Sequence, residues 1–488
     1  MEQLSKKSIG ALPHSVGVAQ YLGDSLKVGI VHFGVGNFHR SHQAMYVDRL
    51  LNMGLAHEWA ICGVGLLERD ARMRDVLARQ DGLYSLALRQ PDGSSDFAVI
   101  GSIREYIYAP EDPAGLLARL VSPETRIVSL TVTEGGYVSD STTGRVPEAD
   151  PLVVEEVANG LTSPRTAFGW VVAALRERRA RGIEPFTVLS CDNIQGNGRV
   201  ARESVAGVAR LVDPDLADWI VSSVAFPSTM VDRITPATTQ ADIDRVATEL
   251  GVQDDWPVAS EPFVQWVIED NFPGGRPPLE KAGVLLVSDI DAYEAIKLRL
   301  LNASHQAVAY IGQLMGYEYV HEAVGDPLIA AYLRAYMEQE AVPTLQVPTG
   351  FDIAAYIDDL FVRFGNPHVR DLLARLSVDA SNRIPKFFLP VLIDRVESGE
   401  PCLVGVSILA TWRAWCRAAG AGRFTMDDVA ADQLIAAAVR SPKEFLTRIP
   451  TLRRFLDSQD FVDAFAHAAE VLEQEGPAGL LPADAVRE

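Results

Sequence analysis

Leu26–Arg40 reads LKVGIVHFGVGNFHR, and the architecture follows from how this stretch changes character half-way. Residues 26–33 are a short apolar, β-branched run, the composition of a buried strand. Gly34, Val35, Gly36, Asn37, Phe38, His39 and Arg40 then turn the chain toward a helix expected from about Ser41 to Asn52. Glycines at a strand-to-helix turn let backbone N–H groups approach a pyrophosphate at the helix N-terminus, where the dipole favours anions. Gly34, Gly36, Asn37, Phe38 and Arg40 are therefore candidate cofactor-binding residues. The third glycine of GxGxxG is absent, and a lone GxG is also compatible with a plain turn.

Working outward, a second strand, Trp59–Leu66 (WAICGVGL), follows the helix and runs into Glu68, Arg69 and Asp70. An acidic residue past the second strand of a dinucleotide fold holds the adenosine ribose hydroxyls, which makes Asp70 the candidate; an acidic residue opening a helix is also a common N-cap. Strand-like runs at Tyr84–Leu88, Phe97–Gly101, Ile127–Thr133 and Phe186–Ser190, with helical patterns at Pro113–Leu120 and Ala167–Arg181, continue the alternation of a doubly wound sheet. Two strand exits carry chemistry: Glu134 follows Ile127–Thr133, and Asn193 follows Phe186–Ser190. Ligands of open α/β sheets sit beyond the carboxyl ends of strands, so both side chains are expected toward a cofactor. A glycine turn and an Asx turn are the structural readings of the same residues. Farther on, PSTMVDRITPATT (227–239) presents Asp232 and Arg233, either an ion pair or a polar surface for a sugar.

After Ala282–Ser288 the pattern turns helical, with helices expected at Asp291–Leu314, Asp326–Glu340, Ile353–Phe364, Val369–Leu376, Phe388–Ser398, Ser407–Ala418 and Phe461–Glu475. The expected organisation is an α/β Rossmann-type domain over residues 1–286 and a mostly α-helical domain over 287–488. The second opens on KLRLLNASH (297–305). On an α-helix at about 100° per residue, Asn302 lies about 140° and His305 about 80° round from Lys297, so one flank can present all three. That flank offers a base, a neutral amide and an imidazole. Tyr293 and Lys297 also form YxxxK, but the short-chain dehydrogenases that use this pair carry it inside the dinucleotide domain, behind a GxxxGxG loop.

Composition narrows the function classes. Forty-four basic against 65 acidic residues give a formal charge of −21 over 488 residues, which argues against nucleic acid or an anionic membrane as partner. Four scattered cysteines form no CxxC pair, and no apolar run reaches the roughly 18 residues of a membrane span, so a cytoplasmic protein is expected. Apart from His39 and His42 in the glycine-loop region, histidines and cysteines lack close ligand spacing, and no metal is expected.

The motifs GVGNFHRSHQA (34–44), CGVGL (62–66), SLTVTEGGY (129–137), SCDN (190–193), MVDRITP (230–236), EPFVQWVIED (261–270) and KLRLLNASH together resemble the polyol-specific long-chain dehydrogenase/reductase family over nearly the whole chain. Its most specific mark is KxxxxNxxH, here Lys297, Asn302 and His305. The resemblance implies NAD-dependent, metal-independent hydride transfer at C2 between D-mannitol and D-fructose, with D-arabinitol or sorbitol oxidation and fructuronate reduction as alternatives, by a protein acting as a monomer. It implies Lys297 as general base, Asn193 and Asn302 as hydrogen-bond donors to the reacting oxygen, His305 as substrate-orienting and Glu294 as proton exit. Asp232, Arg375 and Arg383 match positions near substrate, the last with arginine where relatives carry lysine; Arg233 is the further candidate cation. Where the family has an acidic pair after the second strand, this chain has Arg69 beside Asp70, which bears on discrimination against NADP. A cofactor-binding regulator without turnover is the reading from a different class, and the complete Lys, Asn, Asn, His set argues against it.

Overall fold

A computed structural model describes residues 1–23, 25–139, 144 and 146–482. The chain divides into two compact units: Met1–Gln90 with Ser94–Ile290, and Pro91–Gly93 with the chain from Asp291 onward.

The centre of the first unit is a five-stranded sheet of β1 (Val28–Phe33), β2 (Ala60–Gly65), β3 (Ile103–Tyr108), β4 (Ile127–Leu130) and β5 (Thr187–Ser190). Its order is β3-β2-β1-β4-β5 with every pairing parallel, the order of a dinucleotide-binding half-sheet with its reversal at β1 and β4. Strands β1, β2, β4 and β5 are buried at every position, as expected for a parallel sheet covered on both faces. One face packs on the helix Ala167–Ala180, through Phe168, Trp170 and Val171, and the other on Met45, Tyr46, Leu50 and Trp59.

Several expectations are corrected. Tyr84–Arg89 and Ser95–Ile100 do not join the parallel sheet; they form an antiparallel hairpin in a separate four-stranded sheet with Val258–Ser260 and Gly17–Val18. The helix expected from Ser41 to Asn52 is two helices, α1 (Asn37–Ser41) and α2 (Gln43–Asn52), because His42 leaves helical geometry at φ −118° and ψ −95°. Its ring stacks on Phe38 and meets Trp266 edge-on. Strand β3 and the helices Asn197–Val212, Pro214–Ser223 and Gln240–Leu250 were not anticipated. A third sheet pairs Thr229–Asp232 antiparallel with Gln265–Glu269, which runs parallel to Leu285–Val287.

The second unit is helical around a core that includes Tyr310, Tyr336, Phe388, Trp412 and Trp415. Ile353–Phe364 is helical as expected. Of Val369–Leu376 only Leu373–Leu376 is, because Arg370 takes a φ of 54° and the Asp371 carbonyl accepts from Val320 N–H. The expected helix Asp291–Leu314 is interrupted: α3 (Asp291–Ile296) and α4 (Ala303–Met315) are joined by a π-helical turn, Lys297–Asn302. Two more π segments, Tyr336–Ala341 and Ile384–Phe388, pack against that turn; the second contains Pro385, which has no N–H to give to a regular ladder. Helix α4 is buried from Ala303 to Gln313 and ends at Gly316 in the left-handed region (φ 95°).

Candidate active site

In the first unit, the β1-to-α1 turn has the form a dinucleotide needs. Gly34 sits at φ 92° against β4, where a Cβ would fall 2.1 Å from the Thr131 carbonyl, so glycine is required for the turn itself. At Gly36 a Cβ would meet only the Gly34 oxygen at 3.9 Å. The protein leaves that side open, as close approach of a phosphate requires, and the first N–H groups of α1 have no intrahelical partner. The Asn37 side chain is committed elsewhere, donating to Pro236 O and Thr238 Oγ1 at 2.9 and 3.0 Å, so only its backbone is available to a ligand. Phe38 stacks on His42 at 4.9 Å.

Arg40 departs from expectation. It is fully buried, its Nη1 donates to Trp256 O and its Nη2 to Asn37 Oδ1, and Tyr84 and Trp256 flank the guanidinium. It fastens α1 to the protein, and these partners engage both terminal nitrogens of its guanidinium. Arg233 is engaged likewise: it is buried and donates to Glu261 O through Nε and Nη2 and to Ser41 O through Nη1. Burial lowers the pKa of both to about 10. Asp232 ends its strand opposite Gln265 and is buried.

Past β2, one oxygen of Asp70 accepts the N–H groups of Leu66 and Leu67, each at 2.9 Å, so the carboxylate closes the turn in the manner of a cap. Its other oxygen makes no hydrogen bond among the described residues, and Arg69 is exposed beside it. Glu134 and Asn193 follow β4 and β5 in exposed positions. Asp192, to which sequence reasoning gave no role, is buried between those two exits; it accepts from Val132 N–H, Thr133 N–H and the Tyr137 hydroxyl, and burial lifts its pKa to about 6.

In the second unit the π turn changes the geometry of KLRLLNASH. Ala303 N–H reaches back five residues to Leu298 O. Residues five apart then lie closer in rotation than the about 140° by which an α-helix would separate Lys297 and Asn302. Glu294, Lys297, Asn302 and His305 are all buried, at 9% exposure or less. The Asn302 carbonyl oxygen is buried without a hydrogen-bond partner among the described residues, an arrangement a ligand hydroxyl would complete. His305 packs 4.9 Å from Phe364. Arg299 holds the back of the turn, donating through Nη1 to Thr344 O at 3.0 Å and to Asp394 Oδ2 at 2.5 Å.

Arg375 is exposed and doubly bonded to Asp371 at 2.7 and 2.6 Å. Arg383 is half-buried, with only 3.4 Å contacts to the carbonyls of Arg375 and Leu376, and its guanidinium is the less committed of the two. Among the described residues no cluster of three or more His, Cys, Asp or Glu side chains could hold a metal, and no helix is long and apolar enough to cross a membrane.

The family follows from comparison with known proteins. Residues 28–281 match the mannitol dehydrogenase Rossmann domain, and residues 289–473 match the mannitol dehydrogenase C-terminal domain. The chain belongs to the mannitol dehydrogenase family. It is 41% identical to the mannitol 2-dehydrogenase of Phaeosphaeria nodorum over 97% of this chain and 84% of that one. It is 39% identical to a mannitol dehydrogenase of Saccharomyces cerevisiae over 97% and 96% of the two chains. A solved structure of Pseudomonas fluorescens mannitol 2-dehydrogenase, in ternary complex with NAD and D-mannitol, is 39% identical, covers 98% of each chain and superposes with a TM-score of 0.86. A substrate-free D-sorbitol dehydrogenase is 35% identical, covers 98% of this chain and 100% of the other, and gives a TM-score of 0.91.

Within this mannitol dehydrogenase family member, Asp192 and Arg299 are the polar anchors that the sequence reading missed. Each lies one or two residues from a candidate residue, and adjacency alone does not reveal a buried acceptor. The π turn left no clear signal either, because an α-helix already puts Lys297, Asn302 and His305 on one flank.

Proposed function

We propose that the chain is an NAD-dependent, metal-independent polyol dehydrogenase that interconverts D-mannitol and D-fructose at C2. The observation that carries the reading is the buried π turn bearing Lys297 and Asn302, in a chain that matches a mannitol 2-dehydrogenase over 98% of its length. When bound, NAD supplies the hydride acceptor. Gly34, Gly36 and the N–H groups of Asn37 and Phe38 would hold its pyrophosphate and Asp70 the adenosine ribose, with Glu134 as a further contact.

Lys297 takes the proton of the C2 hydroxyl during oxidation and returns it during ketose reduction, for which it must be neutral when the polyol binds. Asn193 and Asn302 each offer an amide N–H to the oxygen as negative charge develops, an interaction worth about 2.7–4 kcal/mol where one such donor is removed. His305 orients the substrate, and Glu294, one turn before Lys297, carries the proton toward solvent. Asp232 and Arg383 bind hydroxyl groups.

A second reading, sorbitol oxidation, is favoured by the likeness to D-sorbitol dehydrogenase. A uronate would need a further cation, and Arg233 and Arg375 are engaged by protein partners, which weighs against fructuronate. The protein acts as a monomer in the cytoplasm; four buried free cysteines support a reducing compartment, and light scattering tests the monomer. The deciding experiment is a panel of D-mannitol, sorbitol, D-arabinitol and, in reverse, fructose and fructuronate with NAD or NADH. The highest kcat/KM is expected for the mannitol–fructose pair; a preference of tenfold or more for another pair reassigns the substrate, and no turnover with any removes the reading.

A further inference from the structure

Two local costs coincide between the exits of β4 and β5. Thr133 has φ 65° and ψ 167°, a region that is essentially reserved for glycine. Two residues past the end of β5 lies Asp192, a carboxylate 7% exposed and with no ion-pair partner among the described residues. A buried carboxylate without a cation is disfavoured unless hydrogen bonds hold it. Here they do: it accepts from Val132 N–H at 3.1 Å, Thr133 N–H at 2.8 Å and the Tyr137 hydroxyl at 2.8 Å, with Ser190 Oγ 2.5 Å from that hydroxyl. Asn197 fixes the other side, donating through Nδ2 to the Asp192 carbonyl at 3.0 Å and to Thr229 O at 2.8 Å. The bonds to Val132 and Thr133 are the ones that oppose relaxation of the Thr133 main chain. The next residue on one side is Glu134, and on the other Asn193.

We propose that Asp192 is a positioning residue, whose carboxylate locks the Thr133 main chain and thereby fixes the directions in which Glu134 and Asn193 leave β4 and β5. The consequence for turnover rests on the roles given to those two residues above; the lock itself does not. Asp192→Asn keeps the shape but turns a donor toward backbone donors, so at least one main-chain bond is lost. Threonine then relaxes away from its glycine-like conformation. Glycine at 133 would hold the same φ and ψ without strain.

The test is a double-mutant comparison of Asp192→Asn in the wild-type and Thr133→Gly backgrounds, with fructose and NADH. In the wild-type background kcat is expected to fall about tenfold or more, with KM for fructose and Kd for NADH within about threefold. In the Thr133→Gly background the same change should lower kcat by about threefold or less. Hydrogen exchange of the Val132 and Thr133 amides, which needs no turnover, should quicken about tenfold or more in Asp192→Asn. If the wild-type chain turned over no polyol, the functional reading would fall while the exchange arm still decided the lock. Equal losses of kcat in the two backgrounds, or unchanged amide exchange, would overturn the proposal. Should Asp192→Asn not fold, Asp192→Ser, whose single hydroxyl cannot accept from both main-chain N–H groups, gives the same comparison in the same two backgrounds.

Discussion

Acid should act on the first unit through buried groups of opposite sign, and their balance can be worked from position. His32, in β1, is fully buried, with Nδ1 2.8 Å from Ser129 Oγ and Nε2 2.9 Å from Thr131 Oγ1; burial lowers its pKa from 6.5 to about 3. Asp48, on α2, is 5% exposed and accepts from Gly101 N–H, Asn52 Nδ2 and the Tyr21 hydroxyl. Burial outweighs those donors and raises its pKa from 3.8 to about 6. The histidine's contribution to stability is present above 6.5 and is lost as pH falls toward 3. The aspartate's contribution has the other sign: it is present below 3.8 and is lost as pH rises through about 6.

Each group contributes about 1.4 kcal/mol per pH unit within its window. Between neutrality and pH ~4.5, His32 therefore costs about 3 kcal/mol and Asp48 offsets about 2 kcal/mol of it. His39, also lowered by burial, and Asp192, raised by it, act in the same two directions. Asp48→Asn removes the offset, so the acid loss of stability should grow by about 2 kcal/mol; His32→Gln should shrink it by about 3 kcal/mol. Because two units need not unfold together, the assay is hydrogen exchange of the β1 amides at pH ~7 and ~4.5, corrected for intrinsic rates. Changes of the same sign in the two variants, or a difference below about 0.5 kcal/mol in both, would refute the linkage argument.

Other expectations concern the candidate site. Lys297→Ala should lower turnover in both directions by about 10²–10⁴-fold while NADH binding stays within a few-fold; a variant keeping a tenth of the rate at any pH would remove the base assignment. Asn193→Ala and Asn302→Ala should each lower kcat more than they raise KM, as steady-state kinetics with fructose would show, and a pure loss of affinity would make them ground-state contacts. Asp70→Ala should loosen the Leu66–Leu67 turn as well as the ribose contact, so KM should rise for both cofactors, but the NAD/NADP ratio of kcat/KM should drop sharply. Arg69→Glu should raise that ratio, and no movement of either ratio would place the ribose site on other residues.

What the sequence made legible, and what it hid, divides along physical lines. Strands β1, β2, β4 and β5 are buried on both faces and read as continuous apolar runs. Strand β3 pairs only with β2, and IREYIY is half-buried at most positions, so its letters alternate too weakly to mark a strand. The arginines show a second limit. Arg40, Arg233 and Arg375 are the same letter as a ligand-binding cation, and only their partners, Trp256 O, Glu261 O and Asp371, show where the guanidinium is engaged. The KLRLLNASH stretch shows a third. Periodicity reports an average twist, and a single π turn at Lys297–Asn302 hardly disturbs the apolar pattern of a helix buried almost all round. Nor did the interval help: an α-helix already puts Lys297, Asn302 and His305 on one flank, so their spacing asks for no wider ladder, although the π turn narrows the about 140° between Lys297 and Asn302. A spacing that a regular helix already accommodates cannot locate a departure from it, and here only the backbone hydrogen bond from Ala303 N–H to Leu298 O does so.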